Sequence, residues 1–245
     1  MKTIILTLFL LFAFSAMAES RIKIAVIDTG IGALQAHQDY SCDGHKSYID
    51  NSIVADMNHG KNIISILSKD INPKTHCIVS YKVYKNKTST GVEAMNATLK
   101  ALKHIVKDYS IRYVNISMGG PEYHEIERKL IKRLLLRGVT IVVAAGNERD
   151  NLDKFCNYFP ACYKNTLKYS KFYVVKSALD SSNYGSIVTD KFSGYRVGTP
   201  RLSGTSQAAA QKMAKILKSV VYTSRGKKNG PQKIHASTRR AKSNR

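Results

Sequence analysis

Strand-like and helix-like segments alternate along most of this 245-residue chain. A β-branched run at 22–27, Ile-Lys-Ile-Ala-Val-Ile, predicts a buried strand that ends abruptly at Asp28-Thr29-Gly30. The predicted strands are 22–27, 77–84, 111–117, 139–145 and 172–176, and the predicted helices are 59–69, 91–107, 121–137 and 206–222. This alternation predicts an α/β fold, in which helices cover both faces of a parallel sheet.

Candidate functional residues follow several predicted strands or begin predicted helices. Asp28 ends the first strand, the segment 115–120 (Asn-Ile-Ser-Met-Gly-Gly) closes the third, and Asn147 closes the fourth. His59 and Ser206 both begin helices. Because ligands of open α/β sheets bind beyond the carboxyl ends of the strands, these residues are predicted to share one edge of the sheet.

Three of these residues occur in the order Asp, His, Ser. A serine hydroxyl is a poor nucleophile unless a neighbouring base activates it and a third group orients that base. Ser206 is the candidate nucleophile, His59 the candidate general base, and Asp28 the group that would hold the imidazole. Asn147 is the candidate oxyanion donor, together with the N–H of Ser206. Taken singly, each motif has an ordinary alternative, such as a helix cap, a structural histidine or a strand-end turn.

These residues lie in four motifs, Ile-Asp-Thr-Gly at 27–30, Asn-His-Gly at 58–60, Ala-Ala-Gly-Asn at 144–147 and Gly-Thr-Ser-Gln-Ala at 204–208. With all four present in this order, the chain resembles the subtilisin-like serine proteases (subtilases) over residues 22–221, nearly the whole mature chain. Tyr81-Lys82-Val83 resembles the family's Val-Lys-Val strand, and residues 115–120 resemble its Asn-Met-Ser-Leu-Gly-Gly. Phe159-Pro160-Ala161 resembles the Tyr-Pro-Ala segment near the specificity pocket. The resemblance implies a monomeric serine endopeptidase that attacks protein or peptide substrates through an acyl-enzyme.

The resemblance also implies where a substrate binds. Two short runs would contact the substrate. The first consists of Ser117, Met118 and Gly119, and the second of Ala144, Ala145 and Gly146. The first run would pair with an extended substrate as an added strand, and the second would line the pocket for the side chain before the cut bond. Few acidic residues lie near these runs, so a small or apolar side chain is expected there. No cofactor is expected, since calcium, common in the family, cannot be placed on residues of this sequence.

The first eighteen residues are predicted to be a signal peptide. Lys2 precedes an apolar run at 4–16, and Ala16-Met17-Ala18 has the small-x-small pattern of a cleavage site. The mature chain would begin at Glu19 and be secreted or periplasmic. An uncleaved membrane anchor is the alternative, although the run is short for a bilayer span.

The catalytic domain is predicted to cover residues 19–224, which leaves no room for the N-terminal propeptide that is usual in the family. Residues 225–245 contain eight Lys or Arg residues and no acid, within a chain of net charge +22. This composition predicts a disordered tail. The tail would bind an anionic surface or polymer, or serve only as a solvated segment. A catalytically weak subtilase-like scaffold that binds anionic partners through this tail is therefore the alternative function.

Four cysteines occur in the sequence, and they are Cys42, Cys77, Cys156 and Cys162. An even number in an exported chain predicts disulfides, with three pairings open. We prefer a local bridge between the last two and a second bridge between the first two. A zinc site that uses His45 and His76 is the alternative, but its spacing matches no standard zinc pattern.

Overall fold

The computed structural model describes residues 21–226, with side chains described as far as residue 220. Within this range the strands form one parallel sheet, and all pairs of neighbouring strands run in the same direction. The strands are β1 (Ile22–Asp28), β2 (Lys46–Ser47), β3 (His76–Lys82), β4 (Ile111–Ile116), β5 (Thr140–Ala144), β6 (Phe172–Ser177) and β7 (Asp190–Phe192). Their order across the sheet is β2-β3-β1-β4-β5-β6-β7.

Helices cover both faces of this sheet, which confirms the α/β prediction. The α-helices are α1 (Asn58–Leu67), α2 (Gly91–Lys107), α3 (Glu125–Leu136) and α4 (Thr205–Gly226). Alternate residues of β1 show how the two cores form, because successive side chains of a strand point to opposite faces. Ile24 and Val26 pack with α1 and α4, whereas Ala25 and Ile27 pack with α2 and α3. All four side chains are fully buried, as expected for a sheet covered on both faces.

The crevice of the sheet lies between the carboxyl ends of β1 and β4. From β1 the chain passes through α1 to β3 on one side, and from β4 it passes through α3 to β5 on the other side. Ligands of open α/β sheets bind where the winding direction reverses in this way. Asp28 ends β1 and Ser117 follows β4, so both lie at this reversal point.

Helix α3 begins at Glu125 and not at 121 as predicted. The residues before it are held by other contacts. Gly120 and Phe159 exchange two backbone hydrogen bonds of 3.0 and 2.8 Å, and the His124 N–H donates to the Tyr163 hydroxyl at 3.0 Å. Residues 121–124 therefore form a non-helical connection between the Gly120–Phe159 bridge and the start of α3.

Helix α4 includes residues 225 and 226 of the predicted tail. The predicted signal peptide and the remainder of the tail lie outside the described residues, so both stay predictions. Within residues 21–226, no helix has the length and apolar character needed to cross a membrane.

Both disulfides of the preferred pairing are present, Cys42–Cys77 and Cys156–Cys162. Cys42 and Cys77 are bonded to each other, so neither offers a thiolate to zinc. The ring of His45 is also engaged, by the Ser41 hydroxyl at 2.7 Å and the Ser80 N–H at 2.9 Å. Among the described residues, no group of three or more His, Cys, Asp and Glu side chains is arranged to hold a metal ion.

Candidate active site

Asp28 and His59 meet at the carboxyl end of β1. Asp28 is fully buried, and its Oδ1 lies 2.7 Å from His59 Nδ1. The same oxygen accepts the Thr29 N–H at 2.7 Å, while Asp28 Oδ2 is buried without a hydrogen-bond partner among the described residues. Because a carboxylate only accepts hydrogen bonds, the Nδ1 of His59 carries the proton and Nε2 is left for chemistry.

Asp28 also sets the protonation of His59. Burial on its own lowers the pKa of the imidazole, but the charge of Asp28 and its hydrogen bond outweigh this effect. The pKa of His59 is therefore raised above its ordinary value of 6.5. Since a general base must be neutral, His59 becomes competent only as the pH rises through this raised pKa.

Glycines in the two motifs permit the close approach of β1 and α1. A Cβ atom on Gly60 would lie 2.2 Å from the carbonyl oxygen of Gly30, which excludes any other residue without a backbone shift. The Gly60 N–H donates to the Thr29 hydroxyl at 2.9 Å. The His-Gly and Asp-Thr-Gly motifs thus bring their two functional side chains into contact.

Ser206, the second residue of α4, is held against the end of β4. Its hydroxyl donates to the Ser117 carbonyl at 2.7 Å, and the Ser117 hydroxyl donates to the Ser206 carbonyl at 3.0 Å. The Asn115 side chain donates to the Ser117 hydroxyl at 2.8 Å and fixes this exchange. No hydrogen bond between Ser206 and His59 occurs among the described residues. The serine hydroxyl therefore faces Ser117 in this structure.

A buried hydrogen bond joins the N-terminal halves of α1 and α4. Gln207 Nε2 donates to Asn62 Oδ1 at 2.9 Å, and Asn62 in turn donates to the carbonyls of Val197 and Pro200 at 2.7 and 2.6 Å. Ser206 precedes Gln207, and His59 lies one turn before Asn62. The structure thus brings the candidate nucleophile and base onto adjoining helix starts.

Asn147 lies beside the start of α4. Its side-chain oxygen accepts the Thr205 N–H at 3.0 Å, which fixes the amide, and its NH₂ group donates to no described residue. Gly204 makes room for it, because a Cβ atom there would lie 3.2 Å from Asn147 Oδ1 and φ is +149°. The N–H of Ser206 lies in the first turn of α4, where the helix supplies no acceptor. Two donors, the Asn147 NH₂ group and the Ser206 N–H, are thus available at the start of α4.

Sequence reasoning missed Asn183, which anchors the loop after β5. This fully buried side chain donates to the Ala145 carbonyl at 3.0 Å and accepts the N–H groups of Glu148 and Asp150 at 3.0 and 2.9 Å. It thereby fixes the backbone on both sides of Asn147. The sequence shows only a polar Ser-Ser-Asn run, which does not distinguish a buried anchor from an exposed turn.

The two predicted substrate-binding runs have different surroundings. Ser117, Met118 and Gly119 line a cavity of about 440 Å³ that also reaches His59. Ala144 and Ala145 are fully buried in the two cores and Gly146 is also buried, so none of the three is exposed to solvent in this structure.

Two acidic residues, Glu122 and Glu127, line the same cavity. The expectation that few acidic residues lie near the substrate site therefore needs correction. Burial raises the pKa of Glu127 to about 7, against the smaller opposing effect of the Tyr163 hydroxyl. That hydroxyl lies 2.8 Å from Glu127 Oε2 and 3.0 Å from the His124 carbonyl. The Tyr163 hydroxyl has one proton to share between these two acceptors, so its hydrogen bond offsets only part of the effect of burial on the pKa of Glu127.

Replacing Glu127 with Gln is expected to change how stability depends on pH. A carboxyl pKa raised from 4.5 to about 7 means that the folded state binds the proton more tightly, so the wild type loses stability as the pH rises through this interval. Gln removes this loss, and the variant should gain about 2–3 kcal/mol relative to wild type between pH 5 and pH 8. Urea unfolding at both pH values measures the difference. The exposed Glu122→Gln variant is the control, and a pH-independent difference for Glu127→Gln would contradict the assignment.

A parallel α/β sheet with Asp, His and Ser gathered at its central crevice is the arrangement expected of a serine hydrolase. The model of the subtilase family, peptidase S8, matches residues 19–218. This chain belongs to the subtilase family.

Relatives of this chain include proteases from fungi and bacteria. Subtilisin-like protease 1 of Pseudogymnoascus destructans is 26% identical over 201 residues, which cover 80% of this chain and 48% of that protein. Subtilisin E of Bacillus subtilis is 25% identical over 172 residues, which cover 67% of this chain and 42% of that protein. The chain thus spans about half the length of these relatives.

Solved structures show the same fold. A lanthipeptide protease aligns with a TM-score of 0.63 at 18% identity, and the alignment covers 86% of this chain and 76% of the lanthipeptide protease chain. A cold-adapted subtilisin-like serine proteinase aligns with a TM-score of 0.62 at 21% identity, and the alignment covers 80% of this chain and 75% of the proteinase chain. Both likenesses confirm the subtilisin-like α/β fold.

Proposed function

We propose that this subtilase is a serine endopeptidase that cleaves peptide bonds through an acyl-enzyme on Ser206. The observation that carries the proposal is the 2.7 Å hydrogen bond between His59 and the buried Asp28, at the crevice where Ser206 also lies. Membership of the subtilase family supports it.

In the proposed mechanism, His59 takes the proton of the Ser206 hydroxyl through Nε2 as the oxygen attacks the substrate carbonyl. Asp28 stabilises the imidazolium that forms. The NH₂ of Asn147 and the N–H of Ser206 stabilise the charge that develops on the carbonyl oxygen. His59 then gives the proton to the leaving amine, and a water activated by the same imidazole hydrolyses the ester.

Substrate binding has a second role in this mechanism, because the Ser206 hydroxyl donates to the Ser117 carbonyl in the free protein. An extended peptide that pairs with residues 117–119 as an added strand would bring a backbone N–H to that carbonyl. This N–H would displace the hydroxyl, which would then turn towards His59. Loose nucleophile–base geometry in a free enzyme is common and tightens when substrate binds.

We also propose that the protein is exported and acts as a monomer on proteins or peptides. The two disulfides support an oxidising compartment, secreted or periplasmic. The apolar run before Glu19 fits a signal peptide. The mechanism uses no cofactor, and the predicted role of the basic tail concerns residues that lie mostly outside the described range.

Incubation of the full chain with a chemically unfolded protein tests the proposal. Mass spectrometry should detect new peptide termini with the wild type and none with Ser206→Ala, since that variant lacks the attacking oxygen. Circular dichroism confirms that both proteins are folded. Equal cleavage by the Ser206→Ala variant, or no cleavage by the folded wild type on any substrate, would contradict the proposal.

A further inference from the structure

The ring of Tyr158 lies between the two backbone runs proposed to bind substrate. A Cβ atom on Gly119 would lie 2.7 Å from Tyr158 Cε1 and 2.9 Å from Cζ, and a Cβ atom on Gly146 would lie 2.9 Å from Tyr158 Cδ2. Cε1 and Cδ2 are opposite corners of the ring, and contacts this short leave no space for a Cβ atom on either side. The half-buried ring therefore spans the gap between the two glycines.

This gap lies next to the candidate nucleophile. At one wall, the Ser117 carbonyl is 2.7 Å from Ser206 Oγ, and Gly119 follows two residues later. At the other wall, Asn147 directly follows Gly146 and is fixed to the start of α4. A peptide attacked by Ser206, with its carbonyl oxygen towards Asn147, directs the side chain before the cut bond between these two walls. Tyr158 occupies the space into which that side chain would extend.

The loop that carries Tyr158 is fixed at several points. Phe159 forms its two backbone hydrogen bonds with Gly120, so the residue after Tyr158 is tied to the first wall. The Cys156–Cys162 disulfide closes the loop around it. The Cys162 N–H also donates to the Tyr158 carbonyl at 2.9 Å. With its backbone held on both sides, the ring is part of the pocket wall.

We propose that Tyr158 determines the specificity of this enzyme, by admitting only glycine or alanine before the cut bond and excluding larger side chains. The inference rests on the proposed function and names its substrate class. Substrate side chains further towards the N-terminus would then supply more of the selectivity, because the cavity of about 440 Å³ along residues 117–120 can receive them.

The test compares wild type, Tyr158→Gly and the matched control Tyr158→Phe in the full chain. The probes are peptides that differ only in the residue before the cut bond, which is Gly, Ala, Leu or Phe. Wild type and Tyr158→Phe should cleave the Ala peptide about 100-fold more efficiently than the Phe peptide, in kcat/KM. Tyr158→Gly empties the gap, so its kcat/KM for the Phe peptide should rise about 100-fold above wild type.

Different outcomes separate this inference from the proposed function. Efficient cleavage of the Phe peptide by the wild type, or an unchanged preference in folded Tyr158→Gly, would overturn the role of Tyr158 and leave the peptidase intact. If Tyr158→Gly does not fold, Tyr158→Ala takes its place, and efficient cleavage of the Phe peptide by wild type or Tyr158→Phe still overturns the inference. No cleavage of any peptide by the folded wild type, with Ser206 inert to a fluorophosphonate, would overturn both.

Discussion

Replacing Asp28 with asparagine is expected to lower kcat about 10⁴-fold, the loss typical when a catalytic aspartate of a serine protease becomes an amide. An amide NH₂ facing His59 Nδ1 would hold the proton on Nε2, so the imidazole could not take a proton from Ser206. The buried carboxylate also stabilises the imidazolium in the transition state. Substrate binding does not require this charge, so KM should change little.

The same variant should move the acid limb of the pH–rate profile. Asp28 raises the pKa of His59, so its replacement lowers that pKa, and the residual activity should begin at a lower pH than in the wild type. Measurement of kcat/KM between pH 5 and pH 9 tests both effects, with the exposed Asp39→Asn variant as the control. Full activity of Asp28→Asn with an unshifted limb would contradict the role given to Asp28.

Replacing Asn147 with alanine is expected to lower kcat by about 10²–10³-fold, which corresponds to about 2.7–4 kcal/mol of transition-state stabilisation. The reason is that the charge on the carbonyl oxygen develops only in the transition state, so the fixed NH₂ group helps that state more than the bound substrate. KM should therefore stay close to the wild-type value.

Asn147→Asp is the matched variant, because it keeps the oxygen that accepts the Thr205 N–H and loses the NH₂ donor. If Asn147 serves only to hold the start of α4, the aspartate should preserve kcat. If Asn147 is the oxyanion donor, both variants should lose activity while they remain folded by circular dichroism. Wild-type kcat in Asn147→Asp would rule out the donor role.

Much of the fold could be predicted because its strands are short apolar runs with clear ends. The run before Asp28 becomes β1 with every residue from Ile24 to Asp28 buried, as its continuous β-branched character indicates. The edge strands β2 and β7 were missed because they contain only two and three residues and lack an apolar run. They form because the neighbouring strands leave backbone groups to pair.

The supporting residues of the site were harder to predict, because their partners are distant in sequence. Lys82 is an example, since a lysine is normally exposed but this one is 1% exposed. Its Nζ lies 2.8 Å from Asp50 and donates to the Val54 carbonyl at 2.9 Å. Both partners belong to the loop before α1, and they precede Lys82 by about thirty residues in the chain. Only the folded backbone brings these groups together beneath Gly30, where a Cβ atom would lie 3.2 Å from Lys82 Cδ.

The motif residues could be predicted because each lies within two residues of a glycine. A Cβ atom on Gly60, beside His59, would lie 2.2 Å from the Gly30 carbonyl oxygen, and Gly204, two residues before Ser206, adopts a φ of +149°. The orientation of the Ser206 hydroxyl could not be predicted, because it depends on the rotamer of one side chain and on the position of the Ser117 carbonyl.

The proposed mechanism requires that Ser206 is an activated nucleophile, and labelling of this serine tests it directly. Purified wild type, Ser206→Ala and His59→Ala would be treated with a fluorophosphonate, digested and mapped by mass spectrometry. An activated Ser206 should form a phosphonyl adduct in the wild type, faster as the pH rises through the raised pKa of His59, and neither variant should form one. A folded wild-type protein that stays unmodified, or one modified at the same rate without His59, would contradict the proposed mechanism.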